Sequence, residues 1–246
     1  MRVPRIFTDQ PLAEGGEVDL GSATARYLVS VLRLGVAAEV ILFNGQGGEY
    51  RAQLLKVGNK QVVAAINKFL PDTATPPLAI TLIIGLSRGD RMDWVVQKAV
   101  ELGVSSIIPL SSERCEVKLH GDRATKKTRH WQDIARSACE QSGQNRVPPI
   151  GMTINFAAAL QLTAAWRIIL DPYAPTSLVS EMLAHNGSPH SVLAFSGPEG
   201  GFTAEEINRA REHHVVPVAL GPRTLRTETA PLATLSLLQA RWGDWQ

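Results

Sequence analysis

"SVLAFSGPEGGFTAEEINRAREH", residues 191–213, is the stretch whose reading decides the fold. Its first six residues form an almost unbroken apolar run, which predicts a strand buried on both faces. Gly197-Pro198-Glu199-Gly200-Gly201 then stops the strand. Thr203, with Glu206 three residues on, has the spacing of a capping box and predicts a helix over 205–213. A strand, a glycine turn and a capped helix make one βα step, and the neighbouring sequence repeats it. "LAITLIIGL" (78–86), "SSIIPL" (105–110), "WRIILD" (166–171) and "VVPVAL" (215–220) read as strands. Residues 90–102, 125–142, 176–185 and 231–242 read as helices, the second with Trp131, Ile134, Ala135 and Ala138 on one side. This alternation predicts an α/β domain with a mostly parallel sheet and helices on both faces.

The pattern ends upstream at "PDTATPP" (71–77), a segment with three prolines that reads as a linker. Before it the signals are β: "EVILF" (39–43), the turn "NGQGG" (44–48), "EYRAQLLKV" (49–57) and "QVVAAINKFL" (61–70). One helical stretch, 23–34, carries Leu28, Val31 and Leu32 on a face. A small β-barrel of about seventy residues is expected, followed by the α/β domain; the boundaries read as 1–72 and 73–246.

Composition narrows the function. With 246 residues and 44% apolar content the chain can bury a sizeable core. It has no apolar run long enough to span a membrane and no visible signal peptide, so a cytoplasmic protein is expected. Two cysteines, Cys115 and Cys139, support neither a disulfide framework nor a zinc site, and the histidines lack metal-ligand spacing; no metal is expected. Residues 1–70 hold eight Lys/Arg against six Asp/Glu, 85–150 eleven against eight, and 151–246 six against eight. The excess positive charge of the first two blocks suits a nucleic-acid partner and also suits simple scatter.

Two loops carry the chemistry. The glycines of 197–201 let a backbone approach a ligand closely, and equally serve a tight strand-to-helix turn. No phosphate-loop or dinucleotide motif is present, and Glu199 favours a ligand with cationic or hydrogen-bond-donor character over a phosphate. The second loop, "LGPRTLRTETAP" (220–231), crowds Arg223, Arg226 and Glu228 between apolar segments. Thr227, Thr229 and Pro231 suit a helix start, and an internal Arg226–Glu228 pair is one account of the charges. In open α/β sheets ligands sit beyond the carboxyl ends of the strands, so the two loops are expected to share a pocket.

"GPEGGF", "LGPRTLRTETA" and "MDWVVQKAVELGVSSIIPLSSERC" together resemble the small-subunit ribosomal RNA uracil-N3 methyltransferases, of the knotted SPOUT superfamily. "MRVPRIF", "VLRL", "WQDIARSACEQSG" and "RVPPI" lie in the same order as in that family, so the likeness runs end to end. Tyr27 and Gln144 depart from its pattern, where relatives usually carry His and Arg. The resemblance implies an N-terminal PUA-like, RNA-binding barrel and a C-terminal trefoil-knotted methyltransferase domain. It implies S-adenosyl-L-methionine as cofactor, a homodimer, and one uridine of 16S ribosomal RNA, on the assembled small subunit, as substrate. By position it implies cofactor binding by Leu170, Gly197, Glu199, Gly200, Leu220, Gly221, Leu225, Arg226, Thr227 and Thr229. Leu220 and Leu225 would sandwich the adenine, and glycine-loop backbone would meet its edges.

Uracil N3 carries a weakly acidic proton and is paired in a duplex, so the base must be exposed and deprotonated during transfer. Glu228 is expected as general base, with Arg226 stabilising charge that develops on the uracil oxygens. Arg2, Arg5, Arg33, Arg88, Arg91 and Arg146 are expected to contact RNA phosphates. Two other readings remain: a relative acting on transfer RNA or a ribose 2′-hydroxyl, and a non-catalytic RNA-binding assembly factor.

Overall fold

The computed structural model describes residues 3–72 and 76–245, and the chain forms two compact units. The first contains five strands: β1 (Arg5–Phe7), β2 (Glu17–Asp19), β3 (Glu39–Phe43), β4 (Glu49–Val57) and β5 (Val62–Leu70). Their order is β1-β3-β4-β5-β2, with β1 parallel to β3 and every other pair antiparallel. The β4–β5 register shifts twice, at Arg51/Ala52 and at Leu54/Lys56. Such irregularities add local bend and twist, which suits a small barrel-like domain. Alternate residues Val40, Leu42, Ala52, Leu54, Val62, Ala64 and Ile66 point into one core with Ile6 and Leu28.

The helix expected over 23–34 is shorter. Helix α1 (Gly21–Arg26) passes into a π turn, Tyr27–Val31, that buries Leu28. Arg33 then takes a left-handed backbone with φ +53°, which no helix continues through. Residues Arg136–Val147, well beyond the Pro-rich segment, also pack with this first unit. Polar pairing explains why: the Phe7 N–H donates to Glu140 Oε1 at 2.9 Å, Arg5 Nη2 to Asn145 Oδ1 at 2.6 Å and Arg146 Nε to Asp72 Oδ2 at 3.2 Å.

The second unit is the α/β domain. Its strands are β6 (Ala79–Gly85), β7 (Ser106–Ser111), β8 (Ile154–Asn155), β9 (Trp166–Leu170), β10 (Ser191–Ser196) and β11 (Val216–Val218). They pair in the order β11-β9-β10-β6-β7-β8, every pair parallel. Ile80, Leu82, Ile83 and Ile84 of β6 and Val192 to Phe195 of β10 are all buried, as central strands covered on both faces require. The helices are α2 (Arg91–Glu101), α3 (Gly121–Ser142), α4 (Phe156–Ala159), α5 (Leu178–Ala184), α6 (Ala204–Glu212) and α7 (Thr229–Trp242).

Strand β11 lies outside β9 although β10 comes between them in sequence, so the chain passes β9 on its way from β10 to the sheet edge. Thr227, after β11, donates to the Gly197 carbonyl, after β10, at 2.8 Å. From there α7 returns to pack on β6, β10, α2 and α5. Gln239 of α7 donates from Nε2 to the Leu102 and Gly103 carbonyls at 3.1 and 3.0 Å, closing the C-terminal end of α2.

Candidate functional site

At the carboxyl ends of β9, β10 and β11 the second unit opens a cleft of about 310 Å³. Three loops wall it: 170–173 after β9, 196–202 after β10 and 220–227 after β11. No helix among the described residues is long and apolar enough to cross a membrane.

The loop after β10 holds its shape for local reasons. Thr203 Oγ1 accepts from the Glu206 N–H at 3.1 Å, and Glu206 Oε2 accepts from the Thr203 N–H at 3.0 Å. The expected capping box is therefore formed, and the buried Glu206 spends its other oxygen on the Glu113 N–H at 2.9 Å. Gly201 sits at φ +67° and donates to the Pro198 carbonyl at 2.9 Å, a turn that only glycine makes without strain. Beneath the loop, a Cβ on Gly85 at the end of β6 would collide with Pro198 backbone, so strand and loop are pressed together. Arg114 Nη1 reaches in from the segment after β7 and donates to the Gly200 carbonyl at 2.9 Å and the Phe202 carbonyl at 3.3 Å.

Leu170, Gly197, Glu199, Gly200, Leu220, Gly221, Leu225 and Thr227 all line this cleft. Arg226 and Thr229 do not; both are exposed, Thr229 as the first residue of α7. The expected Arg226–Glu228 pair is absent among the described residues. Glu228 instead faces Arg91 of α2, whose Nε lies 4.0 Å from its Oε2. The same guanidinium donates from Nη1 to Glu199 Oε1 at 2.6 Å, and the Arg88 N–H donates to that oxygen at 3.0 Å. Burial alone would push the Glu199 carboxyl up. Its own N–H, the Arg88 N–H and the Arg91 cation outweigh that and hold it below the usual carboxylate range.

The arginines expected on RNA divide. Arg2 lies outside the described residues. Arg33 is exposed. Arg5 is a correction: its side chain is 5% exposed and is bound to Glu49, to Asn145 and to the Gln144 carbonyl, so it is spent inside the fold. Arg91 is engaged by Glu199, which lines the cleft. Arg88 pairs through Nε with Glu116 at 2.6 Å, and Arg146 pairs with Asp72, both while partly open to solvent.

Sequence reading missed Arg114 and Tyr173 as cleft residues, and Arg91 as the partner of Glu199. Arg114 lies inside the quoted "SSERC", but nothing in the spacing ties it to a loop 86 residues away. Tyr173, 91% exposed at the cleft rim, carries no pattern at all. Chemically, the cleft offers leucine side chains as apolar walls, glycine backbone N–H and C=O groups as hydrogen-bonding edges, and paired carboxylates at one side. That combination suits a flat heteroaromatic ring with a cationic or donor-bearing tail.

Residues 74–239 match the family model described as an RNA methyltransferase domain, and residues 20–67 match one described as an RNA methyltransferase PUA domain. The ribosomal RNA small subunit methyltransferase E of Bacillus subtilis (strain 168) is 32% identical over 94% of this chain and 93% of its own. Among solved structures, a protein of Legionella pneumophila described as a methyltransferase, in complex with bound SAM, superposes with a TM-score of 0.93. It is 36% identical, over 99% of this chain and 100% of that one. A ribosomal RNA small subunit methyltransferase E from Neisseria gonorrhoeae, bound to S-adenosyl methionine, superposes with a TM-score of 0.90 at 38% identity over 100% of both chains.

Proposed function

The chain belongs to the ribosomal RNA small subunit methyltransferase E family, and from that premise we propose that it methylates N3 of one uridine in 16S ribosomal RNA, using S-adenosylmethionine. The observation that carries this reading is the cleft built by three loops after β9, β10 and β11, with Glu228 beside it. The residues fit the cofactor. Leu170, Leu220 and Leu225 supply apolar walls for an adenine ring, and Gly197, Gly200 and Gly221, without side chains, let it lie close to the backbone. Glu199, held ionised, is a counter-charge for a cationic tail. When bound, S-adenosylmethionine supplies an activated methyl group on a sulfonium.

The chain's own residues supply the rest. Glu228 would take the proton from uracil N3 as the methyl's bond to the sulfonium sulfur gives way to one to N3, leaving a neutral thioether. Its only cation partner among the described residues, Arg91, stands at 4.0 Å, so its lone pairs remain able to accept. The Arg226 side chain, exposed and without a partner among the described residues, meets negative charge on the uracil oxygens. Thr227, bonded to Gly197, ties the second loop to the first so that both present their residues together. The enzyme acts as a homodimer in the cytoplasm, on the assembled small subunit.

The test is a labelled methyl-donor assay on unmodified small subunits, followed by nucleoside mass analysis. N3-methyluridine is expected. A ribose-methylated nucleoside, or no methylated product, overturns the proposal.

A further inference from the structure

Four of the six arginines expected on RNA are engaged by carboxylates, which a phosphate would have to displace. Residues 118–133, "KLHGDRATKKTRHWQD", offer another place for a polyanion. They hold five Lys/Arg (Lys118, Arg123, Lys126, Lys127 and Arg129) against Asp122 and Asp133, a net +3 with the histidines neutral. The whole chain's 25 against 23 gives +2, so everything outside this segment sums to −1. The positive charge of the protein is therefore concentrated here.

The helix arranges that charge. At 100° per residue, Arg123, Lys126, Lys127, Arg129 and His130 of α3 occupy one arc of about 160°. Ala124, Trp131 and Ala135 turn the other way and are buried. Arg123, Lys126 and Arg129 are exposed, and their side chains make no hydrogen bond or ion pair with the described residues. By contrast, Arg88 and Arg91 have carboxylate partners that a phosphate would have to displace.

The helix is also held in place. Trp131 Nε1 donates to Asp93 Oδ1 of α2 at 2.9 Å, and His130 Nε2 lies 2.6 Å from Asp93 Oδ2. Asp93 is two residues from Arg91, which pairs with Glu199 of the cleft wall. The segment leading into α3 starts at the cleft rim as well, where Arg114 holds the Gly200 carbonyl and Glu116 pairs with Arg88. A basic face pinned this way can grip a backbone while the cleft works on one base.

We propose that the exposed face of α3, centred on Arg123, Lys126 and Arg129, is a phosphate-binding surface for the ribosomal RNA substrate. It rests on the reading of this protein as an RNA-modifying enzyme. It binds backbone without reading sequence, so its contribution is electrostatic and salt-dependent.

The test measures binding of small-subunit ribosomal RNA across a salt series for the full chain and two triple variants. One replaces Arg123, Lys126 and Arg129 by Ala; the other is Arg123→Lys, Lys126→Arg, Arg129→Lys. Removing a cation that neutralises one phosphate makes the slope of log K against log salt shallower by about 0.7–0.9, so the alanine variant is expected to lose about 2. Its affinity for S-adenosylmethionine should stay unchanged, and the charge-preserving variant should keep the original slope. An alanine variant with the original slope overturns the proposal, whether or not its RNA affinity falls. So does a charge-preserving variant that loses slope equally, since charge would then not be what matters. A wild-type protein that binds RNA with this salt dependence but yields no methylated nucleoside defeats the enzymatic reading and leaves the surface standing.

Discussion

Each unit of this protein contains an arginine paired with glutamate, and the two arrangements do opposite things. In the first unit Arg5 is 5% exposed and Glu49 22%. The guanidinium also meets Asn145 and the Gln144 carbonyl and lies 5.0 Å from the Phe43 ring centre, leaving only Nε without a partner. In the second unit Arg91 is 41% exposed and divides itself between Glu199 at 2.6 Å and Glu228 at 4.0 Å. The first arrangement is dry and closed, so it can do nothing but hold β1 to β4 and to the 144–145 turn. The second is wet and incomplete, so one carboxylate stays ionised and the other keeps room to accept a proton. Residue type does not separate the two; solvent access and the number of partners do.

The largest expected effect lies in the open arrangement. Glu228→Gln should lower kcat by about 10²-fold or more, the range for loss of a general base, with cofactor affinity unchanged. Retained turnover would move the base elsewhere and reduce Glu228 to a helix-start residue. Arg5→Ala should do the reverse. Breaking a buried pair from one side costs about 3 kcal/mol or more, visible as a lower denaturant midpoint, while the salt slope of RNA binding stays as it was. A shallower slope with unchanged stability would make Arg5 a phosphate ligand after all.

A smaller effect sharpens the contrast. Arg91→Ala should weaken S-adenosylmethionine binding about fivefold, an amount discounted for its solvent exposure. Combined with Glu199→Gln, the two effects should fall well short of adding, because both remove the same ion pair. Additive effects would show that the two side chains act separately.

The smallest effect is a pH dependence in the first unit. Burial pushes the Glu140 carboxyl up, against the opposing pull of the Phe7 N–H and Arg5. A carboxyl raised on folding stabilises the fold most below its unfolded value, and that contribution is lost as pH rises through the folded one. Glu140→Gln keeps an acceptor for Phe7 and removes the buried charge. It should melt slightly higher than wild type near neutral pH, with the gap closing under acid. A gap that grows toward low pH would contradict the burial argument.

Most of the fold could be read because its signals are local. Strands β3, β4, β6, β9 and β10 follow apolar runs within a residue or so of the expected bounds, and the Thr203–Glu206 cap falls where its spacing placed it. β1, β2 and β8 are two or three residues long, too short to show a period, and exist because a neighbour's edge accepts them. The shortened helix near Leu28 reflects a π turn and a left-handed Arg33 that no propensity marks.

The site was legible in part. Eight of the ten residues carried over as cofactor-binding positions line one cleft, because glycine loops and the leucines beside them mark themselves in sequence. Arg114 reaches that cleft, and Arg91 reaches Glu199 in its wall, from 86 and 108 positions away along the chain, and nothing local points from one end to the other.

The amino-acid order alone determined the alternation of strands and helices, the capped turn after β10 and the concentration of glycine and charge in two loops, since each depends on neighbours in the chain; the linker read at 71–77 falls partly outside the described residues. Only the tertiary structure decided which arginines are spent on glutamates and which stay open to a phosphate, and that residues 136–147 pack with the first unit. Ion pairing and burial are set by atoms that meet in space, and a strand order that departs from chain order brings together groups that the sequence keeps far apart.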